Sequence, residues 1–345
     1  MAMRYFCTLF DTGYSSRGLV MLESLESVLP QAVVYVLCMD EAIEGTIKAL
    51  GNPRWIPIAL RVLETPPLLA AKAGRTRAEY CWTNTSQILL YCLQNLGLPE
   101  CTYVDADLQF FSDPSVVLQE SPAASVLLTE HWYTPRYDQS ALSGRFCVQF
   151  LFFRRDEFGM KALTWWAQAC LDWCFARHED GKFGDQKYLD DWPTRFSGVH
   201  IIQHRGIGVA PWNVQQVGWV HLVEGGPTKI LVESRVFPLI FFHFHQVRLM
   251  KDGSAWLGSY ELGRQTKERL YYPYLKSLGK AATRLRSSGA TSDVHSLQSP
   301  PHPIRRLASW FRHRPTKCWN VEYRVPDRFF KKEQQTGISH QSADF

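Results

Sequence analysis

Tyr103-Val104-Asp105-Ala106-Asp107-Leu108-Gln109-Phe110-Phe111 places two carboxylates, one residue apart, inside an apolar run. Thr102 to Val104 reads as a buried strand, and Ser112-Asp113-Pro114 is the turn signal that follows. Asp is depleted in strand interiors, and a bare buried carboxylate is costly, so two of them at a strand's C-terminal end ask for a cation between them. Open α/β sheets bind ligands at that end of their strands. A hard divalent cation, Mg²⁺ or Mn²⁺, takes oxygen ligands and usually shares its sphere with substrate phosphates. Asp105-x-Asp107 is therefore a candidate site for a metal-bound diphosphate. Asp-x-Asp alone more often marks a solvated turn. Here the apolar flanks put the pair at the mouth of the core.

Upstream, Arg4 to Phe10 reads as a strand. Ser15 or Ser16 caps a helix with Leu19, Leu22, Leu25, Val28 and Leu29 at helical spacing, and Pro30 ends it. Val33 to Met39 is a second buried strand, Asp40-Glu41 opens a helix to Leu50, and Ile56 to Leu60 is a third strand. This alternation predicts a Rossmann-like start with a parallel sheet and right-handed crossovers. No GxGxxG follows the first strand, which argues against a nicotinamide or flavin cofactor. Further on, a helix from about Thr85 to Leu96, strands Ala124 to Thr129 and Arg145 to Phe153, and a helix from about Phe158 to Arg177 are expected. Val199 to Gln203 reads as another strand.

Composition narrows the class. With 345 residues, 46% hydrophobic and 21% charged, the chain reads as a soluble globular protein of one large or two smaller α/β domains. No run of 18 uncharged apolar residues occurs, so no transmembrane helix is expected. The N-terminus begins directly on a strand without the apolar core of a signal peptide. The nine Cys lack CxxC or zinc-type spacing, and Cys7, Cys38, Cys101 and Cys147 lie in apolar runs. That usage fits reduced core thiols and a cytoplasmic location. The net charge of +5 is unevenly placed: from Lys280 onward 12 basic and 5 acidic residues give +7, leaving −2 before it. A body without basic excess argues against nucleic acid as a partner.

Other stretches supply polar groups. Arg75 and Arg77 can meet phosphate, with Tyr80 or Trp82 stacking on a base, against the plainer reading of solvated arginines at a helix start. Gly184 allows a close approach before Asp185-Gln186, a carboxylate and an amide suited to orienting a polyol, although Asp185 as a simple N-cap is the alternative. Ala210-Pro211-Trp212-Asn213 presents an aromatic plate and an amide. His243 and His245 share one face of the apolar run Pro238 to His245. A single His there is usually core; two near a site short of a third ligand favour metal binding.

Taken together, these motifs resemble nucleotide-sugar glycosyltransferases of the GT-A fold. They are most similar to bacterial members related to glycogenin and lipopolysaccharide galactosyltransferases, the family 8-like group. The resemblance spans roughly Arg4 to Arg248 and rests on Asp105-Ala106-Asp107, Gly184-Asp185-Gln186, Pro211-Trp212 and His243-Phe244, in that order. It implies a mixed central sheet flanked by helices, and a hexosyltransferase of bacterial polysaccharide biosynthesis. Asp105, Asp107 and His243 would ligate Mn²⁺ or Mg²⁺; Asp185 and Gln186 would be catalytic beside the donor sugar and acceptor; Arg77 and Trp82 would meet the nucleotide. Gln149, Trp212 and Asn213 would line the acceptor or sugar pocket. The chain departs from the family where Cys147-Val148-Gln149 replaces an Asn and a following Gly or Ser. Pro211-Trp212 and His243 are also separated here, so His245 and His204 remain alternative ligands.

The implied reaction takes a sugar from a nucleotide-diphosphate donor to a glycan or lipid-linked acceptor, with the resemblance favouring retention; if configuration inverts, Asp185 is the best candidate base. A sugar nucleotidyltransferase would need a Gly-rich, Lys-containing loop after the first strand, and Asp11-Thr12-Gly13-Tyr14 is not one. A non-catalytic nucleotide-sugar-binding protein is the third class, and would be expected to lose the metal triad. The expected organisation is a catalytic domain over 1–279, a flexible Ser/Gly/Pro-rich linker over 280–303, and a basic aromatic tail over 304–345. Within that tail, Pro303 to Arg314 aligns Ile304, Leu307, Ala308 and Phe311 on one side with Arg305, Arg306 and Arg312 around them. Such a segment suits peripheral contact with an anionic membrane at its cytoplasmic face. Packing back onto the catalytic domain is at least as good a reading.

Overall fold

The computed structural model describes residues 3–220, 228–290, 293–299 and 320–322. Strand and helix alternate first: β1 (Arg4–Phe10), α1 (Ser15–Val28), β2 (Ala32–Cys38), α2 (Glu41–Leu50) and β3 (Trp55–Ala59). Helices α3 (Leu60–Leu63), α4 (Pro66–Ala73) and α5 (Arg77–Leu90) lead into β4 (Glu100–Val104), β5 (Leu108–Phe110) and β6 (Val126–Glu130). Next come α6 (Ser140–Ser143), β7 (Phe146–Arg154), α7 (Glu157–Asp172), α8 (Trp192–Arg195) and β8 (Val199–Ile201). Short strands follow: β9 (Gly218–Trp219), β10 (Lys229–Val232), β11 (Arg235–Pro238), β12 (Phe241–His243), β13 (Arg248–Leu249) and β14 (Ala255–Trp256). The helices α9 (Arg264–Thr266) and α10 (Tyr272–Ser287) and the strand β15 (Val321–Glu322) complete the described chain.

Seven strands form one mixed sheet in the order β3-β2-β1-β4-β7-β6-β8. β1 pairs in parallel with β2 and β4, and β2 with β3, whereas β7 runs antiparallel to both β4 and β6. Alternation along β1 shows why both faces are covered: Phe6 and Phe10 enter one core, Cys7 and Leu9 the other. Helices α1 and α10 close the first face, α5 and α7 the second. On α1, Leu19, Leu22 and Leu25 are fully buried, each contributing roughly 1.5–3 kcal/mol relative to exposure.

Eight described cysteines are free. Cys7, Cys92 and Cys101 gather within 4.8 Å of one another. All three are wholly buried in the apolar core, where thiols behave as small hydrophobes.

Three expectations change. Helix α5 begins at Arg77, well before Thr85, because Thr76 and Glu79 form a reciprocal capping box. Helix α7 ends at Asp172 rather than Arg177, and the chain turns back so that Gly184 N–H donates to the Phe175 carbonyl at 3.0 Å. The expected flexible linker over 280–303 is helical at its start: α10 runs through Ser287 and buries Leu278, Ala281, Ala282 and Leu285 on the α1 side. Beyond it, the Val294 carbonyl accepts from Ser16 N–H at 3.1 Å, and Arg17 donates to the His295 carbonyl at 3.1 Å. Apolar residues three and four apart outweigh the Ser/Gly composition there. The tail segment Pro303 to Arg314 lies outside the described residues, as does the rest of 304–345 apart from Asn320–Glu322, where β15 pairs with β14.

Candidate active site

The carboxylate stretch is a turn between two sheets. β4 ends at Val104, the chain turns over Asp105-Ala106-Asp107, and β5 then pairs antiparallel with β12, His243 opposite Leu108. Phe244 N–H donates to the Asp107 carbonyl at 2.9 Å, fastening the two segments. His243 Nε2 consequently lies 3.0 Å from Asp107 Oδ1 and 3.9 Å from Asp105 Oδ2. One ligand atom from each of the three residues falls within 4.8 Å of the others. The Tyr103 hydroxyl donates to Asp105 Oδ1 at 3.0 Å and the Tyr14 hydroxyl to Asp107 Oδ2 at 2.9 Å.

Burial and crowding set the charges. Burial pushes Asp105 up to about 6, with the His243 charge opposing and Asp107 adding to the rise. Burial also acts against ionised Asp107, yet the charge and hydrogen bond of His243 hold it well below the carboxylate range. Asp107 in turn outweighs the burial of His243 and holds that imidazole well above its ordinary value. The two acids thus favour a positive charge at His243, as they would a cation between them. Burial, then the neighbouring His243, pushes His245 down to about 4.

The cluster opens on a cavity of about 750 Å³. Arg77, Trp82, Asp185, Gln186, Trp212 and His245 all reach it. Arg77 pairs with Asp11 at 2.6 Å and Asp40 at 3.1 Å, so it is partly committed within the protein. Gly184 has φ +55, a left-handed conformation that favours glycine, and a Cβ there would sit 3.5 Å from the Trp82 ring. Asp185 does not cap a helix: the short turn Lys187–Leu189 has no side-chain cap. Its carboxylate is buried, with Oδ2 unpartnered among the described residues, and burial, then the Asp105 charge, pushes it up to about 7. Such a perturbed acid in a cavity marks a functional group more often than a structural one.

Three expected residues have other places. Asn213 is fully buried, its amide donating to the His131 and Gly208 carbonyls and accepting from Ala210 N–H. It staples the loop that carries Trp212 and does not line the cavity. Gln149 is buried behind His243, with Oε1 2.7 Å from His243 Nδ1, and does not line the cavity either. His204 meets the Phe237 ring edge-on, 5.3 Å away, and does not line the cavity. Trp212 and His243, 31 positions apart, come together because His243 N–H donates to the Val209 carbonyl; their rings lie 5.3 Å apart.

Sequence reasoning missed Tyr14, His131, Tyr133 and Tyr260 in the cavity wall. Tyr14 was concealed in a turn, yet it donates to Asp107 and carries the Arg17 guanidinium 4.5 Å above its ring. The aromatic set Tyr133, Trp212 and Tyr260 continues outward from His243.

The mixed seven-strand sheet flanked by helices has the GT-A fold. The chain is similar in fold to the galactosyltransferase LgtC in complex with donor and acceptor sugar analogues. The TM-score is 0.52 at 13% identity, covering 88% of this chain and 99% of LgtC. An active-site mutant of LgtC gives 0.50 at 12% identity over 80% and 95% of the two chains. No protein-family model matches the chain. Its sequence is 32% identical over 253 residues to the uncharacterized protein YfnF of Bacillus subtilis (strain 168), 71% of this chain and 82% of that one. YfnD of the same organism is 28% identical over 298 residues, 84% and 93% of the two chains. The chain belongs to the family of YfnF.

Proposed function

We propose that the protein is a metal-dependent glycosyltransferase, moving a sugar from a nucleotide-diphosphate donor to a glycan or lipid-linked acceptor with retention. The observation that carries this reading is the convergence of Asp105, Asp107 and His243 on the wall of the cavity. Two carboxylates and one imidazole make an oxygen-rich donor set that fits Mn²⁺, and Mg²⁺ next. Asp105, Asp107 and His243 would hold the ion, which would neutralise charge on the departing diphosphate. Arg77 and Trp82 face the nucleotide end, Asp105 also meets the ribose or sugar, and Trp212 walls the sugar pocket. Asp185 and Gln186 lie beside the donor sugar, where Gln186 steadies positive charge at the reacting carbon. Retention follows from the resemblance of the motifs to the family 8-like group. A small panel of nucleotide-sugars tests the function: with Mn²⁺, the protein should slowly hydrolyse one of them, and no turnover of any would count against transferase chemistry.

As a ligand His243 must be neutral at Nε2, while Asp107 favours its protonated form, so metal affinity should fall as pH drops through its titration range. His243→Ala should lower Mn²⁺ affinity far more than His245→Ala, measured by calorimetry at fixed pH. The reverse ranking would move the third ligand to His245.

The basic segment Pro303 to Arg314 is proposed to attach the enzyme reversibly to anionic membrane, at about 1 kcal/mol per basic residue near the surface. Because α10 and Val294 belong to the packed body, the test exchanges Arg305, Arg306, Arg312 and Arg314 for Gln instead of truncating the chain. Salt-sensitive sedimentation with anionic liposomes should be lost; equal pelleting of both proteins would refute the attachment.

A further inference from the structure

We propose that Gln149 is a positioning residue that fixes the tautomer of His243 and turns its Nε2 toward the two carboxylates. The proposal rests on the metal reading of the Asp105–Asp107–His243 cluster and assigns this chain's own means of presenting the imidazole. Gln149 lies on β7, next to the carboxylate turn, and its carbonyl accepts from Asp105 N–H at 3.1 Å. Its side chain is wholly buried, and Oε1 stands 2.7 Å from His243 Nδ1. A carbonyl-type oxygen can only accept, so Nδ1 must carry the proton facing it. In neutral His243 the lone pair is then on Nε2, the atom 3.0 Å from Asp107 Oδ1. A ligating His commonly donates its other ring N–H to an oxygen behind it, which fixes the ring and raises its basicity.

Two features make the placement specific. The Gln149 amide nitrogen is buried with no partner among the described residues, an unfavourable state for an amide held only by packing. Its space exists because Gly208, at φ +73, has no side chain; a Cβ there would lie 3.2 Å from Gln149 Nε2 and 2.8 Å from Thr129 Cγ2. The chain thus makes room for an amide where a smaller residue would pack. A neutral acceptor also suits the place: a carboxylate would add a third negative charge beside Asp105 and Asp107.

The test measures Mn²⁺ binding by the full chain, using calorimetry and the loss of the free-ion electron-spin signal. Gln149→Leu keeps the volume and removes the acceptor, so Mn²⁺ affinity should fall about 10–100-fold. Gln149→Glu keeps an acceptor when ionised, at the cost of a third negative charge, and should restore part of that affinity above neutral pH. A merely structural glutamine would show no such ranking at equal thermal stability. Wild-type-like Mn²⁺ affinity in the Leu variant, or equal loss in both variants, would overturn the proposal. Should the variants not fold, nitrogen-15 spectra of the Mg²⁺-bound wild type with histidine labelling still decide: a proton on Nδ1 of His243 supports it, and an Nδ1 without a proton refutes it. If the wild type binds no Mn²⁺, or binds it equally after Asp107→Ala, the metal reading itself has failed. If Asp107 is needed and Gln149 is not, only the positioning proposal falls.

Discussion

Asp107→Ala should abolish Mn²⁺-dependent binding of a nucleoside diphosphate and lower turnover by at least about 10²-fold, the scale of losing one charge-stabilising group. Asp107 is the better-placed acid of the pair. It is ionised, it lies 3.0 Å from His243, and the Tyr14 hydroxyl fixes its second oxygen. Its loss leaves the His243 charge and the Tyr14 hydroxyl without their partner, a penalty of roughly 1–3 kcal/mol. Relief of repulsion with Asp105 works the other way, so the fold should survive. Asp107→Asn is the control: it keeps an acceptor for Tyr14 but removes the charge, and should bind no better than the alanine variant. Calorimetry with UDP and GDP, with and without Mn²⁺, reads the result. Unchanged metal-dependent binding in either variant places the site elsewhere.

What the sequence revealed and what it hid follow from the range of the interactions. The strand ends, the Asp105-x-Asp107 turn and the opening β-α-β-α-β order are local patterns of apolar spacing and caps, and they were legible. The start of α5 was local too, in Thr76 and Glu79, but was read from the apolar run alone. The union of Trp212 with His243 depends on the bridge between Val209 and Phe242 and on β12 pairing with β5, contacts with no signature near either residue. Gln149 and Asn213 show the limit most plainly. Both are polar residues beside a pocket motif, and only packing decides that their amides face inward, one behind His243 and one under the Trp212 loop. Tyr14 sits in a turn that lacks any nucleotide-binding pattern, and its role appears only when α1 is docked against the carboxylates.

Asp185→Asn should make the protein more stable above neutral pH and markedly less active. Asp185 is 3% exposed, has Oδ2 unpartnered among the described residues, and is pushed up to about 7 by burial and then by Asp105. An unfolded Asp titrates near its ordinary value of about 4. Between that value and about 7 the native state holds a proton that the unfolded state has lost. Stability therefore falls as pH rises through this window, because folding must then keep a buried carboxylate charged or protonate it. The gap caps the loss at about 4 kcal/mol, fully felt only above neutrality. Asparagine has no such titration, so the stability of the variant should be flatter with pH, and its advantage should vanish toward pH 4. Asp105, pushed up to about 6, adds a slope of its own in both proteins, and the variant also removes the repulsion between the two acids, which adds to its advantage above neutrality. Turnover should move the opposite way, by about 10²-fold or more, because the carboxylate sits in the cavity wall beside the proposed sugar site. Denaturant unfolding at several pH values and single-turnover assays read the two effects separately. A variant with wild-type activity would show that the strained acid is structural. A variant less stable than wild type at alkaline pH would show that Asp185 is paired with a group that relieves its burial.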